Sequence, residues 1–114
     1  MQSIKSYTTI EQSRKLAEIL PLESADMYWW SSGKRYYIEA MDDGDFNEKE
    51  GHVRAWSLAA LIGVLPEIQG GKPVIALDDN YITYPHMSDL HTKADNLVDA
   101  CYEMILKLHE LRML

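Results

Sequence analysis

The residues able to do chemistry here are an acidic loop, scattered histidines, one cysteine and a tight group of aromatic rings. The acidic stretch runs MDDGDFNEKEG from Met41 to Gly51 and offers Asp42, Asp43, Asp45, Asn47, Glu48 and Glu50 as oxygen ligands. Setting Asp43, Asp45 and Asn47 on the first ligand positions of a calcium loop puts Glu48 where the turn glycine belongs. It also puts Arg54 where a bidentate glutamate is required. The motif fails, and the stretch reads as a solvated loop that favours solubility. Of His52, His86, His91 and His109, only His86 and His91 lie close together, with Asp89 between them. No Cys-x-x-Cys or His-Glu-x-x-His spacing accompanies them, so surface histidines are expected and no metal ligand set is selected.

Nucleophilic catalysis needs a Ser or Cys beside a base and an oxyanion hole. Cys101 falls on an apolar helix face and reads as a buried small hydrophobe. There is no Gly-x-Ser-x-Gly elbow, Walker loop or Gly-x-Gly-x-x-Gly turn, and Gly70-Gly71 alone is weak. No pair of carboxylates is singled out for acid–base work, and no cofactor is called for.

The aromatic group is the strongest remaining hint. Tyr28, Trp29, Trp30, Tyr36 and Tyr37 fall on two runs, Asp26–Trp30 and Arg35–Ala40, separated by Ser31-Ser32-Gly33-Lys34. Strand, turn and strand make a hairpin, and alternation sends Tyr28 and Trp30 to one face and Met27 and Trp29 to the other. Both faces then carry large rings. One can pack under helices; the other must meet a loop, a partner or a ligand, or stay an exposed patch. Trp29, Trp30, Tyr36 and Tyr37 are the candidate binding residues, since Trp and Tyr are favoured at interface hot spots. The plainer reading is cross-strand packing that stabilises a small sheet, and a platform stacking sugars or bases is a lesser one.

The element that must position everything else is Asn96 to Leu114. Wound at roughly 100° per residue, Leu97, Ala100, Cys101, Met104, Ile105, Leu108 and Leu111 share one arc. Asn96 is an N-cap, Asp99 places a carboxylate in the first turn, and Lys107, His109 and Arg112 sit toward the other end. Thr8 with Glu11, or Thr9 with Gln12, opens an earlier helix that Pro21 stops. Glu11 and Lys15 are spaced to pair on its solvated face. His52 to Leu65 reads as a helix buried on more than one side, ended by Pro66. Lys72–Leu77 and Tyr81–Tyr84 read as a second hairpin around Asp78-Asp79-Asn80. Pro85–Asp95 reads as a polar connector.

The order helix-strand-strand-helix-strand-strand-helix predicts an α+β domain, three helices on a small antiparallel sheet of about four strands. A length of 114 residues predicts one domain over 1–114. A net charge of −7 with scattered Lys and Arg argues against nucleic-acid or anionic-membrane surfaces. A single cysteine excludes an intrachain disulfide, and the N-terminus lacks an apolar signal region, so a cytoplasmic location is expected.

The blocks TTIEQSRKLAEILPLESADMYW, AWSLAALIGVLP and DNLVDACYEMILKLHEL, in that order, resemble a family of small proteins from gut-bacterial genomes. Members of that family are often found near prophage or mobile-element genes. Ser31–Val53 and Glu67–Lys93 look like its variable part. The resemblance carries no known activity. It implies an accessory protein of phage-like origin that binds another protein. The residues themselves lead to a non-enzymatic chain that binds a protein partner or itself through an aromatic sheet face, with a small-ligand or enzymatic pocket between sheet and helices as the alternative.

Overall fold

A computed structural model describes residues 5–41 and 45–114 and, within them, every side chain but that of Ser88. The chain opens with α1 (Ile10–Ala17), capped by Thr9 and Gln12 in a reciprocal capping box. On the solvated face of α1 the ion pair runs from Lys15 to Glu18 at 3.9 Å, not from Glu11. Next come β1 (Met27–Ser31), β2 (Tyr36–Ala40) and β3 (Val53–Ala55), then α2 (Leu58–Val64). Three further strands follow, β4 (Val74–Ala76), β5 (Tyr81–Tyr84) and β6 (Met87–Lys93), before α3 (Leu97–Glu110) closes the described chain.

The α+β class with antiparallel pairing holds. Among the described residues the strands number six in two three-stranded sheets, ordered β2-β1-β3 and β4-β5-β6, rather than about four in one. Two segments account for the difference. Val53–Ala55 extends a pattern that reads as helical from His52, yet it pairs with β1 through Tyr28↔Arg54. The helix waits for Ser57, whose extended backbone and hydroxyl, accepting from Ala60 N, make the N-cap of α2. Asp26 fixes that serine by accepting from its N–H and its hydroxyl. The second segment is β6, where polar residues hide a strand. Leu90 and Thr92 are buried while Asp89, His91 and Lys93 are exposed, which is the period of a half-buried strand. Thr92 escapes the cost of burial by donating to the carbonyl of Ala100 at 2.8 Å.

α3 forms the centre, with Val98, Cys101, Met104, Ile105 and Leu108 fully buried. It packs on β5, β6 and α2, while α1 packs on β3. A single hydrophobic cluster runs from Leu16 and Leu20 through Trp56 and Leu61 to Ile82, Leu90 and the inner face of α3. Lys5 ties the start of the described chain to this centre, donating to Gln12 at 2.9 Å and to Asp99 at 2.7 Å. Among the described residues, no helix is long and apolar enough to cross a membrane.

Candidate interaction edge

The β1–β2 hairpin turns through Gly33-Lys34, with Gly33 at φ +96°, the positive angle that a two-residue primed turn requires. The register pairs Tyr28↔Glu39, Trp29↔Ile38 and Trp30↔Tyr37. Opposed residues share a face, so Tyr28, Trp30, Tyr37 and Glu39 lie on one side. Trp29, Tyr36 and Ile38 lie on the other.

Trp30 stacks on Tyr37 with ring centroids 4.7 Å apart and planes at 25°. Its indole nitrogen is buried and meets no acceptor among the described residues. Further along the same face Tyr28 stacks on His52 at 5.2 Å and meets the edge of Phe46 at 5.8 Å, and its hydroxyl donates to Glu39. The opposite face turns toward α1 and the N-terminal segment. There Trp29 donates its indole N–H to the carbonyl of Thr8 at 3.1 Å and packs edge-on to Tyr7. Arg14 of α1 donates to the hydroxyl of Tyr36 at 3.3 Å. The structure thus brings Trp30 and Tyr37 together and places Trp29 and Tyr36 apart from them. Tyr36 and Tyr37 keep 42% and 39% of their surface exposed, whereas both tryptophans are half-buried.

The backbone of β2 is as informative as its rings. Met41 N–H donates to the carbonyl of Asp26, and Arg35 C=O accepts from Ser32 N–H, at 2.9 and 3.0 Å. In an antiparallel ladder alternate residues direct both backbone groups to the same neighbour. Arg35, Tyr37, Glu39 and Met41 therefore face β1, and the N–H and C=O of Tyr36, Ile38 and Ala40 point outward. Among the described residues no backbone hydrogen bond reaches that outer side.

The other sheet edges differ. Just past β3 the N-terminal segment joins the chain, where Thr8 N–H donates to Trp56 C=O and Leu58 N–H to Ser6 C=O, and α1 packs on β3 itself. β6 is covered by Lys107 of α3, which donates to the carbonyls of Asp89 and His91 at 3.2 and 3.4 Å. β4 spans only Val74–Ala76 and follows Pro73, which has no N–H to offer. Among the described residues, no segment pairs with the outer side of the five-residue β2.

The remaining sequence candidates fall elsewhere. His86 and Asp89 line an open cleft of about 600 Å³ between β6 and the end of α3, together with Lys107, Leu90 and Met113. His91 stacks on Tyr81 instead. Asp42 and Asp43 of the acidic loop lie outside the described residues. Among those described, no group of His, Cys, Asp or Glu is arranged to hold a metal ion. Cys101 is fully buried, and burial pushes its thiol up to about 12. No family model matches the chain, and neither curated proteins nor solved structures yield a match.

Reasoning from side chains missed Ile38, the middle of the free edge. It also missed Phe46 and His52, which lie against Tyr28 from beyond the hairpin. For Ile38 the signal was available: a five-residue strand beside a hairpin turn is an edge unless a later segment pairs with it.

Proposed function

We propose that this chain is a non-enzymatic accessory protein that binds a protein partner by accepting an added strand along β2. Tyr37, backed by Trp30, and Tyr36 flank that strand from opposite faces. The observation that carries this reading is the edge itself: β2 pairs with β1 alone, and among the described residues the outward groups of Tyr36, Ile38 and Ala40 meet no hydrogen-bond partner, whereas Lys107 caps two carbonyls of β6. Backbone pairing at such an edge supplies affinity, and alternating side chains supply selectivity. Trp29 serves the fold in this scheme, holding the N-terminal segment against the sheet. A mobile-element origin, the context implied by the sequence resemblance, and the cytoplasmic setting expected from the cysteine count and N-terminus suit such a role.

The test is affinity capture from the native host, comparing the wild type with Ile38→Pro. The Ile38 N–H points away from β1, so proline there removes an outward donor and leaves the hairpin's own ladder intact. A stoichiometric partner lost with Ile38→Pro, in protein whose circular dichroism is unchanged, supports the reading. Equal capture by both proteins refutes it.

A second reading rests on the cleft beside His86 and Asp89. Its mixture of apolar walls and polar groups suits a small ligand. Saturable chemical-shift changes at His86 and Leu90 with a screened metabolite, absent from β2, would favour that reading.

A further inference from the structure

We infer that the strand added along β2 is β2 of a second copy, paired antiparallel about a two-fold axis through Tyr37; this rests on the strand-addition reading above. Only residues with outward backbone groups can exchange hydrogen bonds across the new edge, so Tyr36, Ile38 and Ala40 fix the permitted registers. Centred on Tyr37, the pairing lets Tyr36 and Ile38 of one copy bond to Ile38 and Tyr36 of the other. It sets Arg35 opposite Glu39, and by symmetry Glu39 opposite Arg35. Opposite charges directly across a strand pair are favourable and like charges are not. Arg35 is exposed and makes no ion pair among the described residues, and one oxygen of Glu39 is left free by its bond to Tyr28.

The neighbouring registers lack this match. Centring on Ile38 sets Glu39 against Tyr37 and Arg35 against Met41. Centring on Tyr36 sets Arg35 against Tyr37. The Tyr37 register also places the two exposed Tyr37 rings at a non-hydrogen-bonded pair, where side chains approach most closely. Each of those rings is already stacked on Trp30, so the aromatic row becomes continuous across the axis. The two β2-β1-β3 sheets join into one with β2 against β2, and the open outer side of β2 is paired. Self-recognition here comes from a charge pattern that is its own complement when reversed, despite the net charge of −7 on each chain.

Sedimentation equilibrium over a concentration series tests this with the full chain. The wild type is expected to approach twice the 13.1 kDa chain mass. Arg35→Glu and Glu39→Lys, each alone, place like charges opposite one another and should remain monomeric. A one-to-one mixture of the two variants restores opposite charges at both positions and should recover the doubled mass. Near-ultraviolet circular dichroism confirms that each variant stays folded. A mixture of folded variants that stays monomeric overturns the inference, as does a wild type that stays monomeric throughout. The strand-addition reading fails separately. A monomeric wild type whose partner capture is still lost with Ile38→Pro refutes self-pairing alone, whereas an Ile38→Pro protein that still dimerises and still captures its partner refutes both.

Discussion

Trp29 and Trp30 are adjacent in sequence and opposite in circumstance. Trp29 has a carbonyl acceptor in Thr8, while the buried indole N–H of Trp30 has none among the described residues. Phenylalanine removes the N–H at either site. At Trp29 it also strands an acceptor, so Trp29→Phe should destabilise by about 1 kcal/mol more than Trp30→Phe in urea unfolding. Equal losses would place the two rings in equivalent settings. Asp99 is a second informative residue. Burial disfavours its charged form, but hydrogen bonds from Lys5, Gln12 and Asn96 and the Lys5 charge outweigh that, and its carboxyl lies below the ordinary carboxylate value. A depressed folded pKa means stability present above the unfolded value of about 4 and lost as pH falls through the folded one. Asp99→Asn should therefore cost about 1 kcal/mol at neutral pH, limited by solvent screening, and much less in acid. A pH-independent loss would contradict this. Cys101, with its thiol raised to about 12, should resist thiol reagents at neutral pH until the chain is unfolded.

The first and last helices were legible from their caps and periods, whereas the middle one, expected from His52, begins only at Leu58. Asn96, Thr9 with Gln12, and the stop at Pro66 reflect local chemistry that needs no tertiary partner, while α1 ends at Ala17, ahead of the expected stop at Pro21. The short strands were harder. β3 is a three-residue piece ahead of a helical pattern, and only its pairing with β1 distinguishes it from the helix that follows. β6 carries so many polar residues that its alternation reads as a loop until Leu90 and Thr92 are seen buried. Of the candidate site, the rings were legible as types but not as faces. The register, which pairs Trp30 with Tyr37 and sends Trp29 toward α1, depends on the turn at Gly33-Lys34. The join between β3 and α2 yields its own expectation. Ser57 caps the helix and is itself held by Asp26, so Ser57→Ala should cost about 1–2 kcal/mol. Asp26→Ala should cost a similar amount, and the double variant should lose less than the sum because both remove the same bond. Strict additivity in urea titrations would show that the two contacts act independently.

The two sheets do not have separate cores. α3 lies against the second sheet and α2, and the same buried cluster reaches Leu16 and Trp56 beside the first sheet. A cavity in α3 should therefore weaken both. Met104→Ala is expected to lower stability by roughly 2–5 kcal/mol. It should move the unfolding midpoints of tryptophan fluorescence, which reports Trp29, Trp30 and Trp56, and of far-ultraviolet circular dichroism together. A fluorescence midpoint that stayed put would mean that the first sheet folds independently of α3. Among the described residues, the fold built on this shared core leaves the outer side of β2 open to further pairing.

Amide hydrogen exchange by NMR, residue by residue along β2, tests that account most directly. The outward amides of Tyr36, Ile38 and Ala40 should exchange rapidly in dilute monomer. Those of Tyr36 and Ile38 should become protected on association, while Gly33 in the turn stays fast. Association that leaves those two amides exchanging rapidly would contradict strand addition and move the binding surface elsewhere on the protein.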